Sequence, residues 1–382
     1  MIYLDNSATT RLSDAAVREM TAAIKCFANP SSLHEGGIKA REFIDTARSR
    51  IMSASGLRPA DGWHIIFTGS GSEGTNLAIA GAAKAKKHFS SKRIIISDSE
   101  HPSVTNTAES LSYLGFETVK IPTKGGRIDT DVLENELQKG AFLVSVMLVN
   151  NETGAVYDIK KVSELTRRYA PDALIHCDAV QGFIRVPLPV RYVDMITVSA
   201  HKIHGPKGVG ALLVSPSVIK KRSLTPVIYG GGQEEGLRSG TENVPGIAAF
   251  GAAAAEGAKN AEHDGEKLEK LYLYCREALE NTGCRVNMPE NRVNHILSVT
   301  LPHIKSQTML SFLSSRGIYV SSGSACSSHS GHISGVLTAY GLTSADADST
   351  LRISFCADNT EEEISALADA VGEGISRLVK IK

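Results

Sequence analysis

Between residues 63 and 214, short β-rich runs alternate with amphipathic stretches, and this alternation restricts the chain's fold more than any other feature. Runs at 65–68, 93–97, 173–177, 193–199 and 209–214 read as strands. The continuous apolar run 142–149 reads as a strand buried on both faces, while 73–88 and 104–114 read as helices. Alternation of this kind implies an α/β fold, a mostly parallel sheet with helices on both faces. After residue 243 the pattern changes. An alanine-rich helical stretch over 245–280 is long enough to bridge two domains, and strands near 296–301 and 352–355 and a closing helix over 361–379 follow it. We therefore expect a large domain over 15–260 and a smaller α+β domain over 261–382, joined by segment 1–14.

Composition narrows the class. The 382 residues are 42% hydrophobic and 21% charged, enough apolar material for globular cores. Lys+Arg and Asp+Glu both number 41, so net charge gives no reason to expect nucleic acid or an anionic membrane as partner. No apolar run is long enough to span a bilayer, and the start MIYLDNSATT lacks the basic and apolar regions of a secretory signal. The six cysteines are scattered without a CxxC pair, which reads as free thiols in a reducing compartment. We expect a cytoplasmic protein.

The segment Gly69-Ser-Gly71-Ser72-Glu-Gly74 follows a strand and opens a helix, so its backbone N–H groups can hold a phosphate. Taken literally it is GxGxxG, and Asp98 lies 24 residues after Gly74 at the end of the next strand, as in dinucleotide sites. It is also GxxxxG, but Thr75-Asn76 stands where a nucleotide P-loop needs Lys-Ser/Thr. A purely structural turn fits the loop alone equally well.

Two further strand ends favour a different cofactor. Asp178 closes one predicted strand and Lys202 follows another, both at carboxyl edges where open α/β sheets bind ligands. Gly205-Pro-Lys-Gly208 constrains the backbone after Lys202. A lysine amine, an aspartate and a phosphate loop are what pyridoxal phosphate requires. The amine forms a Schiff base, and the carboxylate keeps the pyridine nitrogen protonated. Singly, Asp178 reads as a helix cap and Lys202 as a surface charge.

With these residues in view the sequence resembles the pyridoxal-phosphate-dependent cysteine desulfurases, class V of the fold type I aminotransferases. The resemblance rests on Tyr3 to Thr10, Asn29 to His34, Glu100 to Val104, Asn150 to Gly154, His176 to Gln181 and Ser199 to Gly208. It continues through Arg238 to Thr241, Ser321 to Cys326 and Arg352 to Ser354. The resemblance implies that Lys202 carries the cofactor and shuttles protons. It implies that Asp178 pairs with the pyridine nitrogen, Gln181 contacts the ring hydroxyl, and His101 stacks on the ring and assists proton transfer. Gly71, Ser72, Ser199 and His201 would hold the phosphate, with Thr241 reaching in from the partner subunit of a homodimer. Asn151 and Arg352 would bind the carboxylate of L-cysteine. On residues alone, His101 before a proline reads as a helix cap and Arg352 as a structural ion pair.

Cys326 separates desulfurases from other enzymes of this class. It lies in 317–335, where 11 of 19 residues are Ser or Gly, which predicts a mobile loop on which a thiol can reach substrate and ionise. The resemblance implies attack of the Cys326 thiolate on substrate sulfur, leaving alanine and a persulfide. That sulfur would pass to an acceptor or scaffold protein in iron–sulfur, thiamine or tRNA thiolation pathways. Cys177, Cys275, Cys284 and Cys356 read as packing residues.

The chain departs from the family's pattern in two places. Ser72 replaces the usual threonine, keeping the hydroxyl, and Ser327 to Ser334 replaces a Leu-Glu-Pro-Ser run, although the loop length resembles the long-loop subgroup. The spacing of Cys326, His329 and His332 suggests a metal site only weakly, because a fourth donor and a fixed frame are lacking, and we expect none. The competing functions are a selenocysteine lyase, another class V aminotransferase, and a dinucleotide-dependent oxidoreductase. The last leaves Lys202, Asp178 and Cys326 without roles.

Overall fold

The computed structural model describes residues 1–85, 90–323 and 334–379. Cys326, His329 and His332 lie outside the described residues; of the predicted mobile loop 317–335, residues 317–323 and 334–335 are described, and they include strand residues Ile318–Tyr319 and the start of a helix at Gly335.

The described residues form twelve strands, β1 (Ile2–Tyr3), β2 (His64–Thr68), β3 (Arg93–Ser97), β4 (Glu117–Ile121), β5 (Leu143–Met147), β6 (Leu174–Asp178), β7 (Met195–Ser199), β8 (Gly210–Val214), β9 (Arg285–Asn287), β10 (Ile296–Thr300), β11 (Ile318–Tyr319) and β12 (Thr350–Ser354). Seven form the main sheet in the order β2-β8-β7-β6-β5-β3-β4. Its pairings are parallel from β7 through β4. Only β8 runs antiparallel, to both β2 and β7. The expected mostly parallel sheet is thus observed, with one reversed strand. Edge strand β4 was not legible in the sequence. Of its five residues only Ile121 is buried, so it carries no apolar run.

Alternate side chains of each inner strand enter different cores, which is why these strands are apolar throughout. Ile65, Phe67, Ile95, Val144, Ile175 and Ile196 face one core, shared with helices Asp14–Lys25, Glu35–Ala54 and Ile159–Tyr169. Ile66, Ile94, Ile96, Met195 and Leu212 face the other, with Leu77, Ala78, Val104 and Ala108 from helices 71–85 and Pro102–Ser110. The helix Val244–Glu280 carries residues of two cores. Its first part, through Ala254, joins the core containing Ile44 and Ala47. There a Cβ on Gly251 would lie 2.5 Å from the Ala47 Cα, so only glycine permits this helix contact.

The later part of that helix contributes Leu268, Leu271, Tyr272 and Cys275 to a separate core with Leu297, Val299, Leu351, Ile353, Phe355 and Ile364. This second core covers the antiparallel sheet β12-β10-β9, and Leu4 joins it from the chain start. Segment 1–7 runs along that unit, with β1 parallel to β11 and Asn6 N–H bonded to the Ser354 carbonyl at 3.2 Å. No helix among the described residues is long and apolar enough to cross a membrane.

Candidate active site

The carboxyl ends of β2, β5, β6 and β7 lie at one edge of the sheet, together with the start of reversed β8. A cavity of about 240 Å³ opens there. It brings together Gly71, Ser72, His101, Asn151, Asp178, Gln181, Ser199, His201, Lys202 and Arg352. Every expected site residue lines it except exposed Thr241 and Cys326, which is not among the described residues.

The phosphate loop is locally self-consistent. Ser70 caps the helix by accepting from Glu73 N at 3.1 Å, while the Glu73 carboxylate accepts from Gly69 N at 2.7 Å. Arg238 Nε holds the same carboxylate at 2.8 Å, offsetting a negative charge beside an anion site. A Cβ on Gly71 would lie 2.9 Å from Val180 Cγ2 and 3.4 Å from Ser199 Cβ, so the backbone seats closely against the turn after β6 and the end of β7. Asp98, the dinucleotide candidate, is absent from the cavity wall and accepts from Thr123 Oγ1 at 2.6 Å. That position removes the carboxylate on which the oxidoreductase alternative depended.

Lys202 sits at the end of a 3-10 turn that continues directly from β7. Its Nζ donates to the Ser7 carbonyl at 2.5 Å and the Ala8 carbonyl at 2.9 Å. Gln181 Nε2 also donates to the Ser7 carbonyl, at 2.9 Å. Ser7 and Ala8 both line the cavity, and their part in it was not anticipated. The Tyr3–Thr10 motif was visible, but nothing local in it shows which carbonyls turn toward a lysine 195 residues away.

His101 satisfies both of its sequence readings. Its Nδ1 caps helix Pro102–Ser110, accepting from Ser103 N at 3.1 Å, and the residue also lines the cavity. Burial pushes its pKa down, with Lys202 adding to that effect and Asp178 opposing it. The neutral ring therefore carries its proton on Nε2. Asp178 accepts from Val180 N at 3.0 Å, and burial pushes its pKa up against the pull of His101 and Lys202. Burial, Lys202 and Lys207 bring His201 down to about 4.

Arg352, on β12, reaches across from the second core. Its Nη1 donates to the Asn151 carbonyl at 3.0 Å and Nη2 to Asp5 Oδ1 at 2.8 Å. The structural ion pair and the cavity position are both real. Arg352 Nε and Ser7 Oγ are buried without hydrogen-bond partners, and both residues face the cavity. Unsatisfied buried polar atoms of this kind mark a wall shaped for a polar occupant. An amine, a buried carboxylate, a glycine-seated helix start and two orphaned polar atoms fit pyridoxal phosphate and an amino-acid carboxylate. Among the described residues, no cluster of His, Cys, Asp and Glu is arranged to hold a metal ion.

This fold and cavity define an enzyme of the class V aminotransferase type. Residues 2–367 match the family model "Aminotransferase class-V", and the chain belongs to that family. Within it, the chain is 37% identical to cysteine desulfurase IscS 1 of Archaeoglobus fulgidus, covering 99% of this chain and 98% of that one. A solved NifS-like protein superposes with a TM-score of 0.90 at 34% identity over 99% of this chain and 100% of the other. Another, described as SspA in complex with cysteine, gives 0.80 at 32% identity over 94% and 100%.

Proposed function

We propose that this protein is a pyridoxal-phosphate-dependent cysteine desulfurase that converts L-cysteine to L-alanine and passes the sulfur to an acceptor. The single observation carrying this reading is the convergence of Lys202, Asp178 and Arg352 in one cavity at the carboxyl edge of the sheet. Full-length similarity to cysteine desulfurases supports it.

Lys202 would hold the cofactor through its amine, Asp178 would face its ring nitrogen, and Gln181 its ring hydroxyl. Gly71, Ser72, Ser199 and His201 would surround the phosphate. When bound, pyridoxal phosphate supplies an electron sink that weakens the substrate C–S bond. Arg352 and Asn151 would orient the substrate carboxylate, with the free Nε–H of Arg352 as a ready donor. His101, neutral with its proton on Nε2, and Lys202 would move protons at the reacting carbon. The Cys326 thiolate would attack the substrate sulfur. One C–S bond breaks, one S–S bond forms, and the carbon that loses sulfur gains a proton. Carbon is reduced as sulfur is oxidised, so no outside oxidant is needed.

Thr241, exposed on the subunit surface, would complete the phosphate site of a second copy in a homodimer. A sulfur acceptor for iron–sulfur or thio-cofactor synthesis would take the persulfide. The test is alanine and sulfide release from L-cysteine by the purified protein with pyridoxal phosphate and a thiol reductant. Equal amounts of the two products are expected. A cofactor-loaded protein that makes no alanine would sink the assignment.

A further inference from the structure

The turn at 150–154 serves more than the cavity. Asn150 Oδ1 accepts from Glu152 N at 3.0 Å, Thr153 N at 2.9 Å and Thr153 Oγ1 at 3.1 Å, so its geometry is closely fixed. Asn151 points into the cavity wall and its carbonyl holds Arg352. Glu152, only 3% exposed, turns elsewhere. Its Oε2 accepts from Ser334 Oγ at 2.6 Å. A Cβ built on Gly323 would lie 3.0 Å from that same oxygen and 3.6 Å from Ser334 Cβ. Gly323 also adopts φ +64°, a conformation that glycine takes without strain.

Ser334 is therefore hydrogen-bonded to a carboxylate oxygen that Gly323 packs beside, and Cys326 belongs to the stretch between them. The flanks are tied as well. Ser321 exchanges backbone hydrogen bonds with Arg352 at 3.1 and 2.7 Å, and Ser334 caps helix Gly335–Tyr340 through Leu337 N at 3.2 Å. Three residues of chain span at most about 10 Å, so fixing Gly323 bounds the region that Cys326 can reach.

We propose that Glu152 is a positioning residue for sulfur transfer. It holds Ser334 beside Gly323, so that the stretch carrying Cys326 departs from and returns to neighbouring points next to Asn151 and Arg352. The inference rests on the reading of Cys326 as the residue that takes up sulfur. The clasp acts through a hydrogen bond to Ser334 rather than through contact with substrate, so it governs the rate of sulfur transfer and leaves cofactor and substrate binding alone.

The experiment uses the full-length holoenzyme with Glu152→Ala, Glu152→Gln, Ser334→Ala and the Glu152→Ala/Ser334→Ala double variant. It reads cofactor absorbance, kcat and KM for L-cysteine, and persulfide on Cys326 by thiol labelling after limiting substrate. Glu152→Ala and Ser334→Ala should each lower kcat by about ten- to a hundred-fold, with persulfide formation slowed in parallel. KM should stay within about two-fold, with cofactor absorbance unchanged. The double variant should lose much less than the product of the two single losses, because both single variants remove the shared Glu152–Ser334 bond. Glu152→Gln should keep most of the rate, since its amide oxygen still accepts from Ser334.

A Ser334→Ala enzyme at full speed, or a loss confined to KM or cofactor absorbance, overturns the clasp. Cys326→Ser separates the two readings. If it retains full sulfur release, the reading of Cys326 fails. If it is inactive while Glu152→Ala and Ser334→Ala run normally, only the clasp fails.

Discussion

Arg352 and Asp5 lie 347 residues apart in the chain and meet at 2.8 Å, the arginine side chain 3% exposed. The pair fixes one edge of the guanidinium and the Asn151 carbonyl fixes another. A buried arginine without a counter-charge is costly, so Asp5 is what makes a cation tenable at this position. Asp5→Ala should lower stability by about 1–3 kcal/mol, measured by chemical denaturation of the apoprotein. An unchanged midpoint would mean that the pair contributes nothing.

Substrate capture should depend on the planar group itself. Arg352→Lys keeps the charge but loses the forked donors, so it should raise KM for L-cysteine by at least about ten-fold. Cofactor absorbance should remain at its wild-type value. Steady-state kinetics with a parallel spectrum would reveal the opposite result, a lysine variant with normal KM.

Lys202→Ala should abolish turnover and the visible absorbance of a lysine-bound cofactor, because no other amine among the lining residues can replace it. Cys326→Ser should leave that absorbance intact and lose sulfide release. Spectra and sulfide assays on the two variants separate the roles, and the same spectrum in both would merge them.

Gly71→Ala should weaken cofactor binding by at least about ten-fold, since the added Cβ would press on Val180 Cγ2 at 2.9 Å and shift the loop that seats the phosphate. Titration of the apoenzyme with pyridoxal phosphate gives the affinity. Equal affinities would show that the loop has room to spare.

Glu100 governs a pH effect on stability. Its Oε1 accepts from Ser97 Oγ at 2.5 Å and Met147 N at 2.9 Å, while Oε2 is buried without a partner. Burial raises its pKa from 4.5 to about 8. The folded protein thus keeps a proton that the unfolded chain releases above pH 4.5, and stability falls as pH rises from there toward 8. Glu100→Gln should remove a loss on the order of a few kcal/mol across that window. Denaturation midpoints at pH 5 and pH 8 measure it, and an identical slope in the variant would exclude Glu100 as the source.

Much of the molecule was legible in advance because its signals are local. A strand buried on both faces must be apolar throughout, so inner strands β3 and β5 to β8, and edge strand β2 with four of its five residues buried, announced themselves. Asp178, Lys202 and the glycine loop stand at strand ends, where the chain's own geometry places them on one edge. The strand β4 escaped because an edge strand with one buried residue carries no such pattern. His101 was read as either a helix cap or an active-site residue, and its two ring nitrogens allow both.

The sequence by itself determined the layered α/β frame and the edge at which the glycine loop, Asp178 and Lys202 gather. Local periodicity and strand-end positions suffice for that, because each signal is spent within a few residues, whereas Arg352 joined the site only through the family resemblance. Tertiary structure decided the pairings between distant segments. It set Asp5 against Arg352, turned the Ser7 and Ala8 carbonyls toward Lys202, and closed Gly323 and Ser334 on Glu152. Those contacts depend on how the N-terminal segment and the second core dock on the main sheet. That docking is fixed by buried surface summed over the whole fold, not by any stretch of sequence read alone.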